Sequence, residues 1–379
     1  MLADQRSLFT IPDGITFLNC ANMAPQLRAV SAAGTQAVAE KEHPWTLHAD
    51  DWFTNAEHLR KLAAALLEAT SDDVALVPAT SYGLAIAARN VPVRQGQTIV
   101  VLDQEYPSNV YVWWELAKEH NLTIITVTRG EQGWTESVLA AIDARTAVVS
   151  VPNCHWTDGS LLDVAQVGYK TRQVGACLIV DASQSLGAHP LDVRAVQPDF
   201  VVSVGYKWLL GPYAVGYLYV APRWQQQGRP IENSWLNRRG SEDFTKLVDY
   251  QPAYKPGARR FDVGEFPHFI LLPMAIAALG QVLNWQIPAI QETLGELLGP
   301  LTEGAAALGY QVAPQPERVG HMMGIRAPRA FNATLSERLA AERIYVSFRG
   351  DSIRVAPHLY NTAEDMSHLL EILRETRNF

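Results

Sequence analysis

"VDASQSLGAHPLDVRAVQPDFVVSVGYKWLLGPYAVGYLYV", Val180 to Val220, joins three apolar runs whose spacing decides the fold. The runs are rich in β-branched residues and lack polar alternation, as strands covered on both faces do. "LIVDA" and "DFVVSVG" are far enough apart for a crossover, which predicts a parallel pair. "DFVVSVG" and "VGYLYVA" are joined only by "YKWLLGPYA", too short for a helical crossover, so this pair is predicted antiparallel. Comparable runs stand upstream in "DVALVPA", "QTIVVLD", "LTIITVT" and "TAVVSVP". Together they predict an α/β fold with a mostly parallel sheet from about Asp73 to Ala221.

In such a sheet functional groups gather beyond the carboxyl ends of the strands. Asp181 ends one run and Lys207 follows another, so opposite charges emerge on one rim. A structural ion pair suits that spacing equally well. A third strand end, "LVPATSYGLAIAA", runs into a helix with Gly83 in its first turn, and there Thr80 and Ser81 present hydroxyls and backbone N–H groups that suit a phosphate. Helix capping alone would also explain those two hydroxyls. A phosphate cradle, a carboxylate and a lysine on one rim are the groups that pyridoxal phosphate requires: a Schiff-base amine, a partner for the pyridine nitrogen and an anchor.

The 379 residues exceed what one core organises, which predicts a large domain and a smaller one. From about Phe266 the sequence becomes helical, with an interruption at Pro288, and leads into a C-terminal α+β portion. The expected division is 1–30 as an N-terminal segment packing on the site, 31–265 as the large domain and 266–379 as connector helix and small domain. The net charge of -8 is dispersed, which argues against a nucleic-acid partner. Neither a membrane span nor a secretion signal is apparent, and the three cysteines show no close pairing; a cytoplasmic protein with free thiols is expected.

The Val180–Val220 stretch resembles the signature of the class V aminotransferase family, the fold-type I pyridoxal-phosphate enzymes that include cysteine desulfurases, kynureninases and isopenicillin N epimerase. The resemblance extends from "FLNCANMAPQ" to "IRVAPHLYNTAEDMSHLL". It implies Lys207 as the residue that holds pyridoxal 5'-phosphate, Asp181 on the pyridine nitrogen, Gln184 near the phenolic oxygen, and Thr80 and Ser81 at the phosphate. Tyr206 stands where relatives often carry a phosphate-binding histidine. "QEYPSNVYVWW" is similar to a kynureninase pattern that places Tyr106 against the cofactor ring. The arginine of "IRVAP", Arg354, matches the residue that clamps the substrate carboxylate, and a planar fork suits that task. Arg349 is either a second anion contact or a solvated charge. Asn19 falls where relatives fold a segment over the site, and a homodimer is implied.

Departures from the family narrow the chemistry. No cysteine lies in "RIYVSFRGDSIRV", where desulfurases carry their nucleophile, so a persulfide route is not expected. Trp156 replaces an asparagine expected beside the cofactor oxygen, and a ring there shapes the substrate pocket. His155 is either structural or a second acid/base. In "ARRFDVGEFPHF", aligned with a segment that reaches the partner's phosphate, Glu265 replaces a hydroxyl; the contact then falls to the Gly264 backbone or is lost.

What the resemblance implies is an enzyme acting on a small amino acid through an external aldimine. A transaminase or C–S lyase ranks first, ahead of kynureninase-like hydrolysis or epimerisation. A catalytically silent binding module of this fold is the third reading. The absence of G-x-G-x-x-G after the first predicted strand argues against a nicotinamide dehydrogenase.

Overall fold

Seven strands form the central sheet of the computed structural model, which describes residues 2–328, 331 and 333–377. In chain order the strands used below are β1 (Thr16–Phe17), β2 (Val74–Val77), β3 (Thr98–Leu102), β4 (Thr123–Val127), β5 (Thr146–Pro152), β6 (Cys177–Asp181), β7 (Phe200–Val204) and β8 (Gly216–Val220). The C-terminal portion adds β9 (Met323–Arg326), β10 (Ile344–Tyr345), β11 (Ser347–Arg349) and β12 (Ser352–Val355). The large sheet has the order β2-β8-β7-β6-β5-β3-β4, and β8 alone runs against the others. β6 and β7 are parallel neighbours, with Asp181 opposite Val202.

Both faces of the sheet are covered, which is why β2, β3 and β5 to β8 are buried throughout and carry no polar alternation. β4, at the edge, is more exposed. The helix Thr80–Asn90 lies against β7 so closely that a Cβ on Gly83 would stand 2.7 Å from Val202 Cγ2. That approach requires a residue without a side chain.

The division at 266 is less sharp than expected. The helix Leu271–Trp285 buries Leu272, Ala275, Leu279 and Val282 in the core of the large unit. Its end is set by Gln286 at φ 66°, and Pro288 lies in the first turn of the next helix, Ile287–Ala307. This second helix is the connector: Ile290 and Leu294 pack in the large core, whereas Leu298 and Leu301 pack with β9 and β12 in the C-terminal core. The sequence from 286 keeps one apolar periodicity along the whole helix, so composition does not mark the change of partner.

The N-terminal segment also joins both units. β1 pairs in parallel with β10, the Cys20 N–H donates to Ala356 O at 2.9 Å, and the Ala24 N–H donates to Tyr206 O at 3.0 Å. The chain thus crosses the rim of the large sheet at Tyr206, beside Lys207.

Asp262, in "RRFDVGE", anchors the long return after β8. Its carboxylate accepts Arg60 Nη1 at 2.8 Å and Nη2 at 2.5 Å, and also the Leu76 N–H at 2.7 Å. Arg60 is fully buried and donates further to Val74 O. Replacing Asp262 by alanine leaves that guanidinium with the half-exposed Glu57, 3.0 Å from its Nε, as its remaining counter-ion, and loss of the buried partner costs about 3 kcal/mol. Chemical denaturation of D262A should show a lower midpoint with an unchanged m-value; a stability equal to wild type would refute this role.

Candidate active site

A cavity of about 160 Å³ opens beyond the carboxyl ends of β2, β3, β5, β6 and β7. Each end supplies part of its wall, and Thr80, Ser81, Tyr106, Trp156, Asp181, Gln184, Tyr206 and Lys207 meet there from distant parts of the chain. Lys207 comes from the loop between β7 and β8 and is 6% exposed. Burial holds its amine at a pKa of about 8, below the ordinary 10.5; Asp181 opposes that shift, and Arg354 and Arg349 reinforce it. The amine is 5.3 Å from the centroid of the Tyr106 ring and 5.9 Å from that of Tyr206.

Asp181 lines the same cavity from the end of β6. It accepts the Ser183 N–H at 2.9 Å, a turn that "DAS" sets by itself. Burial raises its pKa, opposed by Ser183 and by the charge of Lys207. No direct ion pair joins Asp181 to Lys207 among the described residues, so the structural ion-pair reading has no contact to rest on. Each charge faces the space between them.

Thr80 and Ser81 open their helix at the cavity wall. The Thr80 and Ser183 hydroxyls lie 2.8 Å apart, joining the helix start to the Asp181 turn. Gln184 lines the wall with its amide fixed: Nε2 donates to Ala21 O at 3.0 Å, and Oε1 accepts from Trp208 Nε1 at 3.1 Å. Tyr206 packs on Tyr213 with ring centroids 4.5 Å apart, and burial raises its phenol to about 12.

Trp156 connects the cavity to two arginines. Its ring meets Tyr106 edge-on at 5.5 Å, and its Nε1 donates to Gln104 O at 2.6 Å. The Arg354 and Arg349 guanidinium carbons stand 6.0 and 5.5 Å from that ring. Arg354, on β12, is 1% exposed and donates Nη1 to Trp156 O at 2.9 Å. Its Nε has no partner, and no acidic side chain pairs with it among the described residues. Burial and the nearby Arg349 lower its pKa to about 9. A buried cation without a counter-ion is costly to fold around. The C-terminal sheet reaches Trp156 because β9 passes close to its loop: a Cβ on Gly324 would stand 2.5 Å from Asp158 Cβ.

Asn19, Gly264, Glu265 and His155 lie apart from the cavity. Asn19 accepts the Ser347 hydroxyl at 2.6 Å, so it fixes the crossing segment to β11. Gly264 is not free to reach a phosphate through its backbone in this chain, because its N–H donates to Glu232 at 2.6 Å. Glu265 is exposed. His155 is structural in its surroundings: its ring stacks on Trp134 at 5.1 Å, Nδ1 pairs with Thr157 Oγ1 at 2.7 Å and Nε2 lies 3.2 Å from Asp103 O. Burial lowers its pKa. Cys20, Cys154 and Cys177 are all buried, and desolvation pushes each thiol up, Cys177 to about 12, so none is a ready thiolate.

Glu105 was not anticipated. It lines the cavity next to Tyr106, and its only signal in the sequence is a carboxylate placed directly after a buried strand in "VVLDQEYP". A larger groove of about 610 Å³ opens near Trp134, Asp163 and Pro316, but it contains no lysine, and its Arg129 is paired with Glu317 at 3.0 Å.

Known proteins resemble this arrangement in sequence and in fold. The family model Aminotransferase class-V matches residues 27–239, more than half of the chain. An uncharacterized aminotransferase, YcbU, of Bacillus subtilis is 29% identical over 316 residues, 83% of this chain and 82% of that protein. A "probable cysteine desulfurase" of Methanothermobacter thermautotrophicus is 26% identical over 340 residues, 84% of this chain and 83% of that protein. In fold, the apo cysteine desulfurase of Thermococcus onnurineus superimposes with a TM-score of 0.85 at 17% identity, covering 99% of this chain and 98% of that one. The chain belongs to the class-V aminotransferase family, and so to the enzymes that use pyridoxal 5'-phosphate.

Proposed function

We propose that this enzyme acts on the amine-bearing carbon of a small amino acid, as a transaminase or a C–S lyase. The observation that carries the reading is the buried Lys207 amine, facing Asp181 across one cavity without an ion pair, with the uncompensated Arg354 beside it. The donor set fits pyridoxal phosphate: Lys207 for the aldehyde, Asp181 for the pyridine nitrogen, Thr80 and Ser81 for the phosphate, Gln184 and Tyr206 along the edge, Tyr106 against the ring. When bound there, the cofactor supplies an electrophilic aldehyde and a ring that accepts the electron pair left at the substrate Cα.

The remaining work belongs to the side chains. Asp181 keeps a proton on the ring nitrogen through its negative charge. With the cofactor bound, the Lys207 amine would take or return the Cα proton, and a pKa of about 8 suits that exchange near neutral pH. Arg354 grips the α-carboxylate. Trp156 excludes water and limits the substrate side chain, and Arg349, 5.5 Å from that ring, provides for a second anionic group. Asn19 holds the crossing segment that closes the site. The C–S lyase reading does not need a thiol of the protein, in keeping with three buried cysteines.

A cytoplasmic homodimer completes the proposal. No helix among the described residues is long and apolar enough to cross a membrane. Tyr213, at the cavity beside Tyr206, and Trp235, Val248 and Tyr250 on the return after β8 are exposed apolar groups of the kind a second copy would cover.

The test is a set of absorption spectra recorded with alanine, serine, cysteine, cystine and kynurenine, together with product assays. Conversion of the cofactor to its amine form identifies a transaminase; pyruvate with ammonia or sulfide identifies a lyase. Protein lacking any cofactor band after incubation with pyridoxal phosphate would sink the reading. A pH prediction follows from the buried amine: attachment of the aldehyde requires neutral Lys207, so its rate should climb with pH and level off above about 8. An inflection near 10.5 would show instead an ordinary, solvated lysine.

A further inference from the structure

The cavity holds two carboxyl groups, and the mechanism above uses one. Asp181 has the Ser183 N–H at 2.9 Å and the charge of Lys207 in its favour. Glu105 has less. It is 7% exposed, its Oε1 accepts the Tyr106 N–H at 2.6 Å, and its Oε2 has no hydrogen-bond partner.

The groups facing Glu105 come from several elements. Asp181 approaches from the end of β6, and Cys154, its thiol protonated, from the loop after β5. Asn109, from the helix Ser108–His120, accepts the Ser150 hydroxyl on Oδ1 at 2.6 Å, and its amide and the Tyr106 N–H oppose protonation of Glu105 without outweighing its burial. Lys207 shares the cavity but forms no ion pair with Glu105 among the described residues. Two carboxylates sharing a desolvated site do not both ionise cheaply, and the one that the cation does not favour retains its proton: the charge of Lys207 acts on Asp181, not on Glu105. Burial first, and the charge of Asp181 second, push the Glu105 carboxyl up to about 8.

We propose that Glu105 is a positioning residue carried as the neutral acid, which leaves Asp181 the single carboxylate facing the cofactor, and that ionising Glu105 weakens cofactor binding. A ligand filling the cavity strips the remaining water from Glu105 and brings a phosphate into the same space, and both effects favour the protonated form. Linkage then sets the sign: a ligand that prefers protonated Glu105 binds less tightly as pH rises past the free protein's value. The proposal rests on the cofactor reading above, and its test separates the two.

Pyridoxamine 5'-phosphate is the probe, because it lacks the aldehyde and so removes the covalent step at Lys207. Its affinity for the apoprotein is measured by fluorescence from pH 6.5 to 9.5 in wild type and in Glu105→Gln, which keeps the shape of the neutral acid. The expected result is equal affinity below pH 7 and a wild-type affinity about tenfold weaker than that of the variant at pH 9.5. Infrared spectra of the wild-type apoprotein provide an arm that needs no ligand: a protonated-carboxyl band should persist at pH 7, and its loss should track the binding profile. Parallel pH profiles in the two proteins, or absence of that band at pH 7, would overturn the proposal while leaving the cofactor reading intact. Failure of both proteins to bind the probe at any pH would refute the cofactor reading and this proposal together.

Discussion

Lys207→Ala should lose activity by at least about 10³-fold, because the variant loses both the covalent anchor and the group that moves the Cα proton. Other cavity residues still hold the cofactor, so the variant should bind it without forming an adduct that borohydride reduces. A stability readout accompanies this loss. A lysine whose pKa falls from 10.5 to about 8 on burial opposes folding by about 3 kcal/mol at pH 7. The sign follows from proton binding: between pH 8 and 10.5 the unfolded chain holds a proton that the native chain has released, so the penalty shrinks across that window and is complete below it. Lys207→Met, which keeps the stem of the side chain, should therefore unfold at a higher temperature than wild-type apoprotein at pH 7. The difference should vanish by about pH 10.5. A wild-type apoprotein that is the more stable of the two at pH 7 would contradict the placement of this amine.

Arg354→Met should raise KM and lower kcat/KM by about 10² or more, since charge-assisted hydrogen bonds to a carboxylate contribute roughly 1.5–3 kcal/mol each. Arg354→Lys should recover little of it, because a point charge does not reproduce the planar fork. Cofactor binding should be unaffected, which separates substrate recognition from collapse of the site. Amines without a carboxylate should discriminate little between wild type and variant. Equal KM values for an amino acid in wild type and Arg354→Met would remove Arg354 from substrate binding.

The large sheet was legible because burial on both faces writes itself as uninterrupted apolar runs, and link lengths fixed the direction of β8. The chemistry was legible where strand ends carry charge, as at Asp181 and Lys207. What escaped depends on contacts between segments distant in sequence. That Gly264 gives its N–H to Glu232 follows from a carboxylate 32 residues away. That the helix Leu271–Trp285 belongs to the large core follows from which apolar surface it meets, and one apolar helix resembles another. Glu105 escaped because a single carboxylate after a strand reads as a solvated charge, and its burial depends on β5, β6 and the helix after Tyr106 closing around it.

The measurement that bears most directly on the account is borohydride reduction of the holoenzyme followed by peptide mapping. The account predicts one phosphopyridoxyl group per chain, on Lys207. A label on another lysine, or a cofactor that washes away unreduced, would contradict it.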